Sequence, residues 1–115
     1  MEHALIQQCP ACHWVLDADG RFLLAIGDSA PIFGKPPAEL QGARLSEFMP
    51  EDQRDVWMTR IRRSMAGQTL VLRERNAETL FGVLCFPLRV PENGTTYSGG
   101  YALNITVVGT AETEQ

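Results

Sequence analysis

The chain has 115 residues, 44% hydrophobic and 21% charged, with a formal net charge of −4. That composition supports about one domain with a single core and excludes an intrinsically disordered chain or one that needs disulfide staples. The acidic balance argues against a nucleic-acid backbone as partner, since surfaces that bind phosphates are basic.

No apolar run approaches the roughly 20 residues of a membrane-spanning helix. Met1-Glu2-His3-Ala4 has neither the basic start nor the apolar stretch of a secretory signal. Together these imply a cytoplasmic protein without membrane contact. The three cysteines, an odd number, fit reduced thiols better than a disulfide framework.

In chain order, Met1 to Gln8 is predicted as a short helix with Ala4, Leu5 and Gln8 on one side, ended by Pro10. Residues 1–9 thus form an N-terminal cap, 10–109 the domain and 110–115 a polar tail. Cys12 to Leu16 favours strand. Asp17-Ala18-Asp19-Gly20 supplies a hairpin turn, and Arg21 to Ile26 returns with Phe22, Leu24 and Ile26 sharing one face. One-turn helices follow over Ala30 to Phe33 and Ala38 to Gln41, closed by Gly34 and Gly42, with a further turn near Leu45 to Phe48.

Pro50-Glu51-Asp52 opens the longest helix, because a first-turn proline needs no donor and the acids suit the positive end of the helix dipole. Trp57, Ile61 and Met65 mark its buried stripe, widened by Val56, and Gly67 stops it. Arg60, Arg62 and Arg63 read as a solvated face. Leu70 to Asn76, Thr79 to Val90 and Tyr97 to Val108 read as strands, the last two joined by Asn93-Gly94. Gly99-Gly100 marks a bulge or a close backbone approach. Two strands, several helices and three strands make an α+β fold: an antiparallel sheet with helices on one face.

Cys9-Pro10-Ala11-Cys12-His13 satisfies the covalent haem pattern, two thiols followed by an axial histidine. Attachment needs export to an oxidising compartment, and the chain shows no export signal. Zinc would need a fourth ligand such as Cys85, distant in sequence, and adjacent Cys12 and His13 share a tetrahedral site poorly. A redox pair of Cys9 and Cys12 would follow a helix C-terminus, where the dipole raises rather than lowers a thiol pKa. The plain reading is a partly buried Cys12, an incidental Cys9 and an exposed His13. There is no nucleophile elbow, phosphate loop or paired carboxylate motif, so no catalytic or metal residue is assigned and the chain reads as a non-enzyme. Asp17 and Asp19 belong to the hairpin rather than to a calcium loop.

The order of elements resembles the PAS domain family, sensory modules of signalling proteins. Val15-Leu16-Asp17-Ala18-Asp19-Gly20-Arg21-Phe22 resembles the family's first hairpin. Ile32-Phe33-Gly34 with Pro37-Ala38-Glu39-Leu40-Gln41-Gly42 resembles its short-helix segment, and Met49-Pro50-Glu51-Asp52 the start of its long helix. Phe86-Pro87-Leu88 and Asn104-Ile105-Thr106 resemble its late proline and closing triplet. Gly27-Asp28 stands where the family often has asparagine, and Asn104 where it has aspartate.

The resemblance implies a five-stranded antiparallel sheet with short helices and one longer helix packed on one face. It also implies a sensory input and dimerisation domain of a cytoplasmic signal-transduction protein: a histidine kinase, a cyclic-dinucleotide enzyme or a transcription regulator. The chain stops soon after Val108, where relatives continue into a signalling helix, which implies a fragment or isolated input domain whose effector lies elsewhere. The flavin-binding branch needs a cysteine near the short helices, and the haem-b branch a histidine on or near the long helix. This sequence has neither, so any cofactor is unknown. A small apolar or amphipathic ligand would sit between the sheet and the helices, near Phe33, Phe48, Trp57, Ile61, Leu72 and Leu84. Arg73, at a strand edge, reads as exposed rather than as an anchor for an acidic ligand. Homodimerisation is expected through the N-terminal helix and the outer face of the sheet, where Trp14 and Tyr101 are expected. Two alternatives remain: a c-type haem sensor using Cys9, Cys12 and His13, and a ligand-free interaction module.

Overall fold

A computed structural model describes residues 1–2, 4–5, 10–76 and 78–105. Five strands, β1 (Ala11–Leu16), β2 (Phe22–Gly27), β3 (Leu70–Asn76), β4 (Thr79–Arg89) and β5 (Thr96–Asn104), form one sheet in the order β2-β1-β5-β4-β3. Every pairing is antiparallel. Between β2 and β3 come the helices α1 (Ala30–Phe33) and α2 (Pro37–Leu40), a 3₁₀ turn (Leu45–Glu47), and the fifteen-residue α3 (Glu51–Met65). This is the PAS-like α+β architecture that the order of elements implies. Of the N-terminal helix, residues 2, 4 and 5 are helical and exposed, while residues 3 and 6–9, Cys9 among them, lie outside the described residues, as do 106–115.

Asp17 builds the first turn: its carboxylate accepts the backbone N–H groups of Asp19 and Arg21, both at 2.9 Å. Gly20 completes it at φ 79°. The returning strand departs from simple alternation. Val15 pairs with Leu24 but Leu16 pairs with Phe22, so Leu23 is an extra residue. Such a bulge reverses the facing of everything beyond it. Phe22 and Ala25 therefore point inward, and Leu24 is 42% exposed, which corrects the expected shared face of Phe22, Leu24 and Ile26.

The inner face carries Cys12, Trp14 and Leu16 on β1, Phe81, Val83 and Cys85 on β4, and Ala102 on β5, all buried. Trp14 is 2% exposed and belongs to the core, not to the outer face. Its neighbour in register is Gly100, where an added Cβ would lie 1.9 Å from the indole. Gly99 likewise faces Phe86, with the corresponding gap 2.5 Å. The glycine pair is thus a close approach, not a bulge: each gives an aromatic ring room to lie on the strand. Pro87 is tolerated in β4 because β3 pairs only as far as Cys85, leaving the missing N–H without a partner to lose.

Against this face α3 buries Trp57, Ile61 and Ser64, while Val56 is 40% exposed and does not widen the stripe. Ser64 Oγ donates to the Ile61 carbonyl at 2.9 Å and lies 2.7 Å from Ser98 Oγ, tying α3 to β5 through a buried polar contact. Arg60 is not part of a solvated face. Its guanidinium binds both carboxylate oxygens of Glu74 at 3.3 and 3.2 Å and lies 4.9 Å from the Trp57 ring centroid.

Candidate functional site: a cleft beside Trp57

A cleft of about 510 Å³ opens between α1, the loop before α3, α3 itself and β3. Ile32, Phe33 and Gly34 form one wall, and Phe48, Met49 and Pro50 the next. Asp52, Gln53 and Trp57 come from α3, and Glu74 and Arg75 from β3. Local sequence sets each wall. Gly34 caps α1 at φ 79°, its N–H bonded to the Ala30 carbonyl, and turns the chain away at the rim. Buried Ser29 holds the following loop by donating to the Lys35 carbonyl at 2.7 Å. Arg54 Nε donates to the Met49 carbonyl at 3.1 Å, fixing the loop that carries Phe48.

The inner wall is an aromatic cluster. Trp57 meets Phe33 at 5.7 Å and Trp14 at 6.1 Å between ring centroids, and Trp14 meets Phe33 edge-on at 5.1 Å. On Trp57's other side sits Arg60, itself held by Glu74. The ring is thus fixed between a packed core and a cation that bridges α3 to β3. Glu74 is neutralised by this contact, with side-chain exposures of 14% for Arg60 and 24% for Glu74. Among the described residues, no hydrogen bond or ion pair holds the side chains of Asp52, Gln53 or Arg75. The rim therefore presents an acid, an amide and a base, and the interior presents ring faces and a thioether.

Of the residues placed near a ligand from the sequence, Phe33, Phe48 and Trp57 line this cleft. Ile61 is 1% exposed within the core and Leu72 packs partly buried against that core; neither lines the cleft. The expectation for Leu84 is corrected. It alternates with inward Val83 and Cys85 and so stands on the outer face, paired with Tyr101. Asp52, Gln53, Glu74 and Arg75 were not singled out by sequence reasoning. For Glu74 a signal existed: with Leu70 and Leu72 inward, the period of two turns the acid toward the helices. Arg73, on the opposite parity, is exposed.

The haem-attachment reading fails on geometry. Cys12 is 1% exposed and points into the core, while His13, next along the strand, is exposed on the opposite face, 4.9 Å from the Tyr101 ring. A thiol and an axial imidazole on opposite faces of one sheet cannot serve the same haem. Burial, aided by the nearby Asp28 charge, pushes the Cys12 thiol up to about 12, and burial pushes Cys85 up to about 11. Neither is a reactive thiolate at neutral pH. Among the described residues no cluster of three metal-ligating side chains occurs. The cleft lining combines rings and a thioether with the polar side chains of Asp52, Gln53, Glu74 and Arg75, an arrangement that suits an apolar body held by polar groups at the mouth.

The family described as PAS fold matches residues 6–107, nearly the whole chain. The chain belongs to the PAS-fold family. No curated protein matches its sequence, but solved structures do. A domain of an HTR-like protein from Haloarcula marismortui superposes with a TM-score of 0.67 at 15% identity, covering 84% of this chain and 98% of that one. The PAS domain of the histidine kinase ThkA gives 0.63 at 16%, covering 80% of this chain and 95% of the other. VqmA bound to DPO gives 0.69 at 14%, covering 90% of this chain and 56% of VqmA. Vibrio cholerae VqmA, in a structure described as a dimer, gives the same score with 49% of that chain covered. At these identities the likeness is one of fold. Among the described residues of this PAS domain, no helix is long and apolar enough to cross a membrane.

Proposed function

We propose that this PAS domain is a sensory input module. It binds a small amphipathic molecule in the cleft beside Trp57 and passes the change to a signalling effector. The observation that carries the proposal is the position of Trp57. One ring lines the cleft, packs on the sheet through Trp14, and is braced by the Arg60–Glu74 bridge. A molecule that moves this ring perturbs α3 together with β1, through Trp14, and β3, through Glu74, which is the differential contact a two-state sensor requires.

The histidine kinase and the ligand-bound VqmA among the structural neighbours support a place in a cytoplasmic kinase or transcription regulator. A cyclic-dinucleotide enzyme is equally compatible with an input module of this kind. The apolar outer face of the sheet, with Val15, Leu84, Phe86 and Tyr101, supports a homodimer. Native mass spectrometry beside the denatured mass tests the binding reading. Extra mass that vanishes on denaturation is expected. Mass retained after denaturation means a covalent group and contradicts it.

A further inference from the structure

Among the described residues, one buried side-chain nitrogen or oxygen has no hydrogen-bond partner: Trp14 Nε1. Burying an indole N–H without an acceptor is unfavourable, and such a group in a packed interior calls for an explanation. The strand beneath it supplies none. The ring lies over Gly100, with the position of an absent Cβ 2.0 Å from Nε1, so no side chain there can reach round to accept. Phe33 and Trp57 stand against the ring with carbon edges and faces, and both line the cleft. Trp14 and the cleft thus share two neighbours, Phe33 and Trp57.

We propose that Trp14 Nε1 is the donor at the inner end of the ligand site, reached when the Trp57 ring swings aside, and that the ligand is a flat, uncharged molecule with an acceptor on its leading edge. This rests on reading the cleft as a ligand site. The flatness follows from the rings of Phe33 and Trp57, which line the cleft and offer aromatic surface to stack against. The absence of charge follows from the inner wall: an ionic group against Trp14, Phe33 and Trp57 would be stripped of water, and the ion pair beside them, Arg60–Glu74, is already closed on itself. A carbonyl, ring nitrogen or ether oxygen meets the N–H without that penalty. Trp57 is held on that side by Arg60, whose ion pair with Glu74 is largely buried, so the ring moves only when the bridge shifts with it. Once in place, the acceptor draws on a ring seated directly on β5, so occupancy is felt at the middle of the sheet.

The chain has only two tryptophans, so its ¹H–¹⁵N spectrum contains two indole signals, and Trp57→Phe assigns them. The probes are quinoline and naphthalene, alike in shape, of which only quinoline carries an acceptor and is uncharged at neutral pH. Quinoline is expected to move the Trp14 indole proton downfield and to bind about fivefold more tightly than naphthalene, the worth of one hydrogen bond. Naphthalene should leave that proton in place, and Trp14→Phe should bring the ratio near one. Equal affinities, with Trp57 perturbed and Trp14 unmoved in the wild-type chain, overturn the assignment of Trp14 and leave the cleft reading standing. If neither probe disturbs either indole at millimolar concentration, the cleft reading falls and this inference falls with it.

Discussion

Trp14 and Gly100 show how a single contact organises the interior. The indole packs directly against β5 only because the residue opposite has no side chain. Gly100→Ala forces the ring or the strand to shift and should cost at least about 2 kcal/mol. Gly82→Ala, where a Cβ meets only Ile105 at 4.0 Å, should change stability by less than about 0.5 kcal/mol. Urea midpoints of the two variants check the contrast, and equal midpoints would refute the close-approach account. The buried thiols make a second residue-scale prediction. Burial raises both above the ordinary value of 9.0, to about 12 for Cys12 and about 11 for Cys85. The folded state therefore holds these protons more tightly than the unfolded chain does. The sign follows: the contribution to stability is whole below about pH 9 and is lost as pH rises toward 11. In a Cys9→Ser variant at pH 8, Ellman's reagent should label Cys12 and Cys85 only as fast as the protein opens. Rapid labelling of the native protein would contradict their burial.

At the scale of elements, β2 and α3 carry the instructive departures. The hairpin itself is legible because Asp17 and Gly20 specify the turn locally. The bulge at Leu23 is not, because it depends on which register lets both Phe22 and Ala25 reach the core. The helix α3 is legible from its proline start and its stripe. The role of Arg60 is not, since its partners Trp57 and Glu74 come from a neighbouring turn and a distant strand, and helical spacing alone cannot place a strand residue beside it. Three cleft residues could be read as apolar side chains near the helices, whereas the polar rim arises from two elements that meet only in the fold. The Arg60–Glu74 bridge should be measurable as a unit. A double-mutant cycle with Arg60→Gln and Glu74→Gln is expected to give a coupling of about 1 kcal/mol, with Trp57 fluorescence altered in both single variants. A coupling indistinguishable from zero would mean that Trp57 is held by packing alone.

For the whole molecule, the sheet divides two tasks. Its inner face is filled by the helices and the aromatic cluster. Its outer face keeps half-buried apolar residues, with Leu84 and Tyr101 directly opposed across β4 and β5. The proposed homodimer uses that outer face. Sedimentation should report a dimer for the wild type and a monomer for Leu84→Asp, with the thermal midpoint nearly unchanged; a monomeric wild type would contradict this use of the face.

The proposed sensing function rests on the cleft beside Trp57. Its most direct test is a thermal-shift screen of small uncharged aromatic compounds, each hit then followed in the ¹H–¹⁵N spectrum. Compounds that raise the midpoint are predicted to move the signals of Gly34, Gln53, Arg75 and the Trp57 indole together. Hits that leave those four unmoved, or a screen in which no compound raises the midpoint, would contradict it.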